Sequence, residues 1–319
     1  MKFVASYSGG KDSVLALYRA IQQGHVPVLL ITVFDADTGC PFAHGLDDTI
    51  LAQVAESLDL PLLTVRTDGG QYVQNFEHAL RQAKSLGAEA CVFGNMNIEG
   101  HREWCAARCR LTGLEAVFPL WGCKPEHIVR DFIHDGFDAH ITITHTRCLS
   151  AAFLGQPLTA ETLERIAAVH ADICGENGAY HTFVSNGPIF KKPVDFSFGE
   201  QIKKDDYVML RIDGKLASGY RFFSNTACEA FPCHQVDASG AFNCLFCYCP
   251  LYFMGTECGG NFKYLENGVK SCEHCELPHK PAHYGFILAK LKGGGAKHMA
   301  SPDNANSDHK DSYKNHCNF

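Results

Sequence analysis

The run Val26–Phe34, VPVLLITVF, carries no charge and is rich in branched side chains. Such a strand has no polar face to offer water, so it fits a parallel sheet covered by helices on both sides. Its flanks agree. Lys2–Tyr7 is a short apolar strand, Ser13–Gln23 a helix ended by Gly24, and Asp47–Leu58 a second helix. Leu62–Thr67 reads as a strand, Tyr72–Leu86 as a helix stopped by Gly87, and Ala90–Phe93 as a further strand. Strands and helices alternating at this spacing predict an α/β fold with a doubly wound parallel sheet. Ligands of such sheets sit at the carboxyl ends of strands, so a site belongs at the turns after Tyr7, Phe34 and Phe93.

Cysteine placement divides the remainder. Of sixteen cysteines in 319 residues, eight fall between Cys228 and Cys275. That shift sets a domain of 1–216, with a nucleotide part of about 1–98 and a substrate part of about 99–216, followed by a cysteine-rich domain of 217–292. Gly293-Gly294-Gly295 opens a polar stretch with too few apolar residues to offset its ordering entropy, so 293–319 is expected to be a disordered tail. The apolar run is well short of the roughly 18–20 residues of a membrane helix. Lys2–Tyr7 leads into a polar glycine turn rather than a signal cleavage site. The expectation is a cytoplasmic protein with no membrane partner. A net charge of −7 gives no electrostatic case for nucleic acid.

Ser8-Gly9-Gly10-Lys11-Asp12-Ser13 joins the first strand to the first helix. Its glycines permit positive φ and close approach of a ligand. Successive amides at a helix start form an anion nest. Ser8 and Ser13 add hydroxyls, Lys11 a charge, and Asp12 either a magnesium ligand or a helix cap. Neither GxxxxGK[ST] nor GxGxxG is met, which turns the reading away from ordinary NTPases and dinucleotide enzymes. A second polar cluster lies on a glycine-bent loop, Cys174-Gly175-Glu176-Asn177-Gly178-Ala179-Tyr180-His181-Thr182-Phe183, followed by Asn186-Gly187-Pro188-Ile189-Phe190.

SGGKDS in this context resembles the pyrophosphate loop of the ATP-pyrophosphatase superfamily, with its adenine nucleotide alpha hydrolase-like fold. With the second cluster it resembles the GE-x-GEYHTF…GPIF signature of the diphthine–ammonia ligase family. Ala43-His44-Gly45, Val92-Phe93-Gly94-Asn95 and Phe118-Pro119-Leu120-Trp121-Gly122 agree in order, and the resemblance spans roughly 1–215. It departs at Ala179, where the family usually has a second glutamate, and at Asn95, which replaces a common acidic residue.

The resemblance implies ATP and magnesium held by Ser8, Gly9, Gly10, Lys11, Asp12, Ser13, His44, Gly94 and Asn95. It places a carboxylate substrate and ammonia against Glu176, Asn177, Tyr180, His181 and Thr182. Lys11, Asp12, Glu176 and His181 would carry catalysis: a carboxylate attacks the α-phosphate, pyrophosphate leaves, and ammonia displaces AMP. Lys2 follows Met1, so no glutaminase nucleophile stands there and free ammonia is expected. The bacterial branch of the family is linked to corrinoid salvage, which would make the acceptor a corrinoid side-chain carboxylate. Two other readings stay open: a superfamily sulfur-transferase acting on tRNA, and a non-catalytic ATP-binding regulator.

Cys228, Cys233, Cys244, Cys247, Cys249, Cys258, Cys272 and Cys275 include two CxxC pairs, with His234, His274 and His279 nearby. Thiolates at such spacing clamp structural zinc, and eight could fill two four-cysteine sites. An iron–sulfur cluster is the rival. The surrounding sequence resembles a small bacterial cysteine-rich domain. Cys105 and Cys109, four apart on an expected helix, read as buried small hydrophobes.

Overall fold

Alternate residues of the first strand enter two different cores. Phe3 and Ala5 of β1 (Lys2–Ser6) join one apolar cluster, while Val4 joins the other. The same alternation holds in β2 (Val26–Asp35), where Leu30 and Phe34 face one way and Leu29 and Ile31 the other. A strand pleats with period two, so burial of both sets requires cover on both faces. In the computed structural model, which describes residues 1–35, 46–67, 70–176, 178–214, 220–234 and 241–298, helices supply that cover.

The chain runs on through α1 (Lys11–Gln22), α2 (Asp48–Leu58), β3 (Leu62–Thr67), α3 (Tyr72–Ser85), β4 (Ala90–Val92), α4 (Glu99–Thr112) and β5 (Glu115–Val117). All five strands pair in parallel in the order β3-β2-β1-β4-β5. The strand order reverses between β1 and β4, so a crevice opens there, flanked by the turns after Tyr7 and Phe93. This is the doubly wound sheet expected. Its nucleotide half extends past residue 98, because β5 pairs with β4 and α4 is the crossover between them.

Next come α5 (Pro125–His134), β6 (Asp138–His145), α6 (Ala160–Ala168), β7 (Tyr180–Asn186), β8 (Phe196–Lys204) and β9 (Tyr207–Gly214). These strands form a four-stranded antiparallel sheet in the order β7-β6-β9-β8. Ile141, Phe183, Leu210 and Ile212 of that sheet share one core with Val14, Leu17 and Leu30 of the parallel unit. The two halves are therefore joined by apolar burial.

The cysteine-rich segment contributes a hairpin, β10 (Lys263–Tyr264) with β11 (Lys270–Ser271), and helix α7 (Tyr284–His298). Leu251, Leu277, Phe286 and Ile287 pack into the cluster that holds Val4, Leu29 and Phe76. The segment covers β3, an edge strand with a free row of backbone groups. His283 Nε2 accepts from the Thr64 N–H at 3.1 Å, and Arg66 Nε lies 3.9 Å from Glu276. Helix α7 runs through Gly293–Gly295, where the sequence leads one to expect the chain to lose structure; 299–319 lie outside the described residues. Among the described residues no helix is long and apolar enough to cross a membrane.

Candidate active site

The loop after β1 is held before any ligand arrives. Tyr7 N–H donates to Ile31 O at 2.8 Å, and the Thr32 hydroxyl donates back to Tyr7 O at 2.7 Å. Gly9 has φ 83°, in the left-handed region that only glycine enters cheaply. Gly10 is the N-cap of α1 and makes no side-chain cap bond, so Asp12 is not the cap. The serine hydroxyls brace the loop: Ser8 Oγ donates to Ser13 Oγ at 3.1 Å, and Ser13 Oγ donates to Gly10 O at 3.0 Å. Phosphate contact is left to the amides and Lys11. Gly94, after β4, sits against the first turn of α1. A Cβ there would meet Asp12 C and Ser13 N at 2.9 Å, so only glycine allows this approach. Asn95 beside it is half-buried.

The second motif joins the first through β7. Lys11 N–H donates to Thr182 Oγ1 at 3.0 Å, and Val184 N–H donates to Gly9 O at 2.9 Å. Groups 171 residues apart in sequence thus share one hydrogen-bonded joint. Lys11 is 4% exposed, and its Nζ lies 2.8 Å from Asp12 Oδ2 and 5.7 Å from the Tyr180 ring centre. Burial alone would depress the ammonium, but the Asp12 carboxylate outweighs it and raises Lys11 above its ordinary value. Lys11 stays charged.

Tyr180, expected to meet substrate, is instead buried, with its hydroxyl donating to Ile173 O at 2.6 Å. It fixes the loop and presents its ring to Lys11. Gly175 permits this fold, with φ 72° and a position where a Cβ would meet Tyr180 O at 2.8 Å. Burial raises Glu176 to about 7, with the Asp12 carboxylate adding to the effect. Burial lowers His181 to about 4, assisted by the Lys11 charge. At neutral pH Glu176 is poised to exchange a proton and His181 is uncharged. Cys174, buried beside them, is raised to about 12 by burial.

Asp12 Oδ1 is buried without a hydrogen-bond partner, the state of an oxygen kept for a cation. The site therefore fits magnesium beside the polyphosphate position. His44 and Asn177 lie outside the described residues. Lys11, Asp12, Glu176, His181 and Thr182 come together as the motifs imply. Thr182 acts on the loop backbone, a role that residue type alone does not signal.

In the cysteine-rich segment the outcome differs from two all-cysteine sites. Among the described residues, the group whose ligand atoms all lie within 4.8 Å of one another is Cys233, His234 and His279. Cys247, Cys249, Cys258, Cys272 and Cys275 line a cavity of about 380 Å³ together with His234 and His279. Cys228 is exposed, and Cys244 accepts the Asn225 N–H at 3.3 Å. Thiol spacing marks the segment but not the imidazoles that fold in from a distance. Cys105 and Cys109 of α4 are buried, and burial raises Cys105 to about 12.

Residues 1–116 match the family model described as the diphthamide synthase N-terminal domain, and residues 124–215 match the diphthamide synthase C-terminal domain. Residues 219–300 match a cysteine-rich small domain. A diphthine–ammonia ligase of Schizosaccharomyces pombe is 25% identical over 61% of this chain, a stretch spanning 36% of that longer protein. The Rattus norvegicus diphthine–ammonia ligase is 26% identical over 63% of this chain and 85% of its own length. A solved chain from Methanocaldococcus jannaschii, described as a predicted subunit of tRNA methyltransferase, overlays at a TM-score of 0.33. It has 14% identity and covers 61% of this chain and 100% of that one.

Proposed function

We propose, from the premise that this chain carries both domains of the diphthamide synthase family, that it is an ATP-dependent ligase converting a carboxylate to an amide with ammonia. The observation that carries the reading is the joint between the motifs. Thr182 holds the Lys11 amide and Val184 holds the Gly9 carbonyl, so the loop for ATP and the loop with Glu176 and His181 meet at one place.

The loop amides and Lys11 receive the polyphosphate, whose charge they offset in a half-buried crevice. Magnesium on Asp12 would share that charge and draw electrons from the bridging oxygen. The substrate carboxylate forms an O–P bond at the α-phosphorus as the bond to the β-phosphate oxygen breaks and pyrophosphate leaves. Ammonia then forms the C–N bond and AMP departs with the acyl oxygen. Glu176, raised to about 7, takes the proton the nitrogen loses. His181 is too weak a base for that task and serves as a neutral hydrogen-bonding group.

The test is product analysis with ATP, magnesium, ammonium and a panel of carboxylates that includes diphthine-bearing protein and corrinoid acids. Carboxylate-dependent AMP, pyrophosphate and amide, lost in Lys11→Ala and Asp12→Ala, are expected. ADP as product overturns the reading. Thiolated tRNA, or bound ATP without turnover across the panel, moves the assignment to a sulfur-transferase or a regulator.

A further inference from the structure

The cluster of Cys233, His234 and His279 is arranged as ligands are, down to the hydrogens. His279 Nδ1 lies 3.0 Å from the Asn243 carbonyl oxygen. A carbonyl can only accept, so Nδ1 carries the proton and Nε2 keeps its lone pair. That Nε2 faces Cys233 Sγ at 3.9 Å. The Asn243 N–H donates to His279 O at 2.7 Å, so the two residues grip each other in both directions. The imidazole is 3% exposed and stacks on Phe242 at 4.5 Å between centroids. Its orientation is therefore fixed.

His234 repeats the pattern with its nitrogens exchanged. Nε2 lies 3.3 Å from the Cys272 carbonyl oxygen, which assigns the proton to Nε2 and leaves the Nδ1 lone pair 3.3 Å from Cys233 Sγ. Two imidazoles, each with its far nitrogen on a backbone carbonyl and its near nitrogen turned toward one thiol, form the usual outer shell of a metal-bound histidine. Without a metal, this geometry turns two lone pairs toward the same sulfur.

We propose that Cys233, His234 and His279 bind a divalent metal of the zinc class, with Cys247, on the wall of the same cavity, as fourth ligand. Two thiolates and two neutral imidazoles suit a tetrahedral zinc ion. They also cancel its charge: two thiols release their protons on binding and the imidazoles release none. The site ties the segment around Cys233 to Cys247 and to His279, which lies four residues before the edge-capping His283. It is a mixed sulfur–nitrogen centre, distinct from the four-cysteine zinc sites that thiol spacing suggests.

The experiment uses the full chain expressed with zinc. Metal is counted by mass spectrometry, and its first shell is read by X-ray absorption, where imidazole gives characteristic outer-shell scattering. The expected result is a shell with both sulfur and imidazole nitrogen, and loss of one metal equivalent in His279→Gln. Cobalt reconstitution should give the visible bands of a tetrahedral sulfur–nitrogen site, shifted in His234→Gln. A sulfur-only shell in the unaltered protein overturns the proposal, as does a chain that retains no zinc. These wild-type measurements decide the matter even where a variant fails to fold.

Discussion

Thr182→Val tests the joint between the two motifs with little change of shape. The hydroxyl oxygen accepts the Lys11 N–H at 3.0 Å, and both residues are nearly inaccessible, at 2% and 4% exposed. Valine keeps the volume and removes the acceptor, leaving a buried amide unpaired where water cannot replace the lost bond. Such an orphan costs about 1–3 kcal/mol, which is roughly 5- to 150-fold in an equilibrium constant. The loss falls either on folding or on the loop shape that binds ATP. Urea unfolding and titration calorimetry with magnesium ATP are therefore run together, and the expected penalty is read from the two combined. Thr182→Ser restores the oxygen and should recover most of it. If Thr182→Val unfolds and binds ATP like the unaltered protein, the joint does not hold the loop and the reasoning fails.

Three further outcomes are expected. Gly94→Ala drives a Cβ to 2.9 Å from the Asp12 and Ser13 backbone, so it should cost about 1–3 kcal/mol in urea unfolding and weaken ATP binding. Turnover should rise with pH through about 7, because Glu176, raised by burial, is protonated below that point and accepts a proton above it. The sign for stability is opposite: the protonated carboxyl favours the fold, a contribution present below 4.5 and lost as pH rises through about 7. Glu176→Gln should abolish the limb and slow turnover by on the order of 10²–10⁴; an unchanged pH profile sinks the assignment. His283→Ala should leave the Thr64 amide without its acceptor and speed its hydrogen exchange, while an exchange rate equal to the original removes the edge-capping role.

The elements legible in the sequence are those whose burial is written into adjacent residues. Val26–Phe34 and Leu62–Thr67 announce themselves because both faces are apolar, and the loop Ser8–Ser13 because its glycines interrupt strand and helix together. β5 escapes because Glu115-Ala116-Val117 is a short strand at a sheet edge with little apolar content. Without it the nucleotide half seems to end near residue 98. Gly293–Gly295 reads as a helix stop, since each glycine costs about 1 kcal/mol in a helix, yet α7 continues through the triplet. At the site, Glu176 and His181 are legible by type. Their proton affinities are not, because these depend on burial and on Asp12 and Lys11 from the other end of the domain. His279 is the extreme case: an isolated histidine whose meaning comes from Asn243, 36 positions away.

The cover over β3 bears on how a protein of this layout could have been assembled. An appended module joined by a flexible tether could be gained or lost without altering the host. Here Leu277, Phe286 and Ile287 complete the core beneath Leu63 and Phe76, and His283 occupies a backbone position that a further strand would otherwise fill. Cutting the chain after β9 would bare a strand edge together with an apolar face, the combination that recruits neighbouring chains into mixed sheets. A relative without this module needs a polar flank or a helix of its own along β3. Acquisition of the cysteine-rich segment and remodelling of the sheet edge are thus one evolutionary change, and substitutions at Leu63, Thr64 and Phe76 should track the presence of the module.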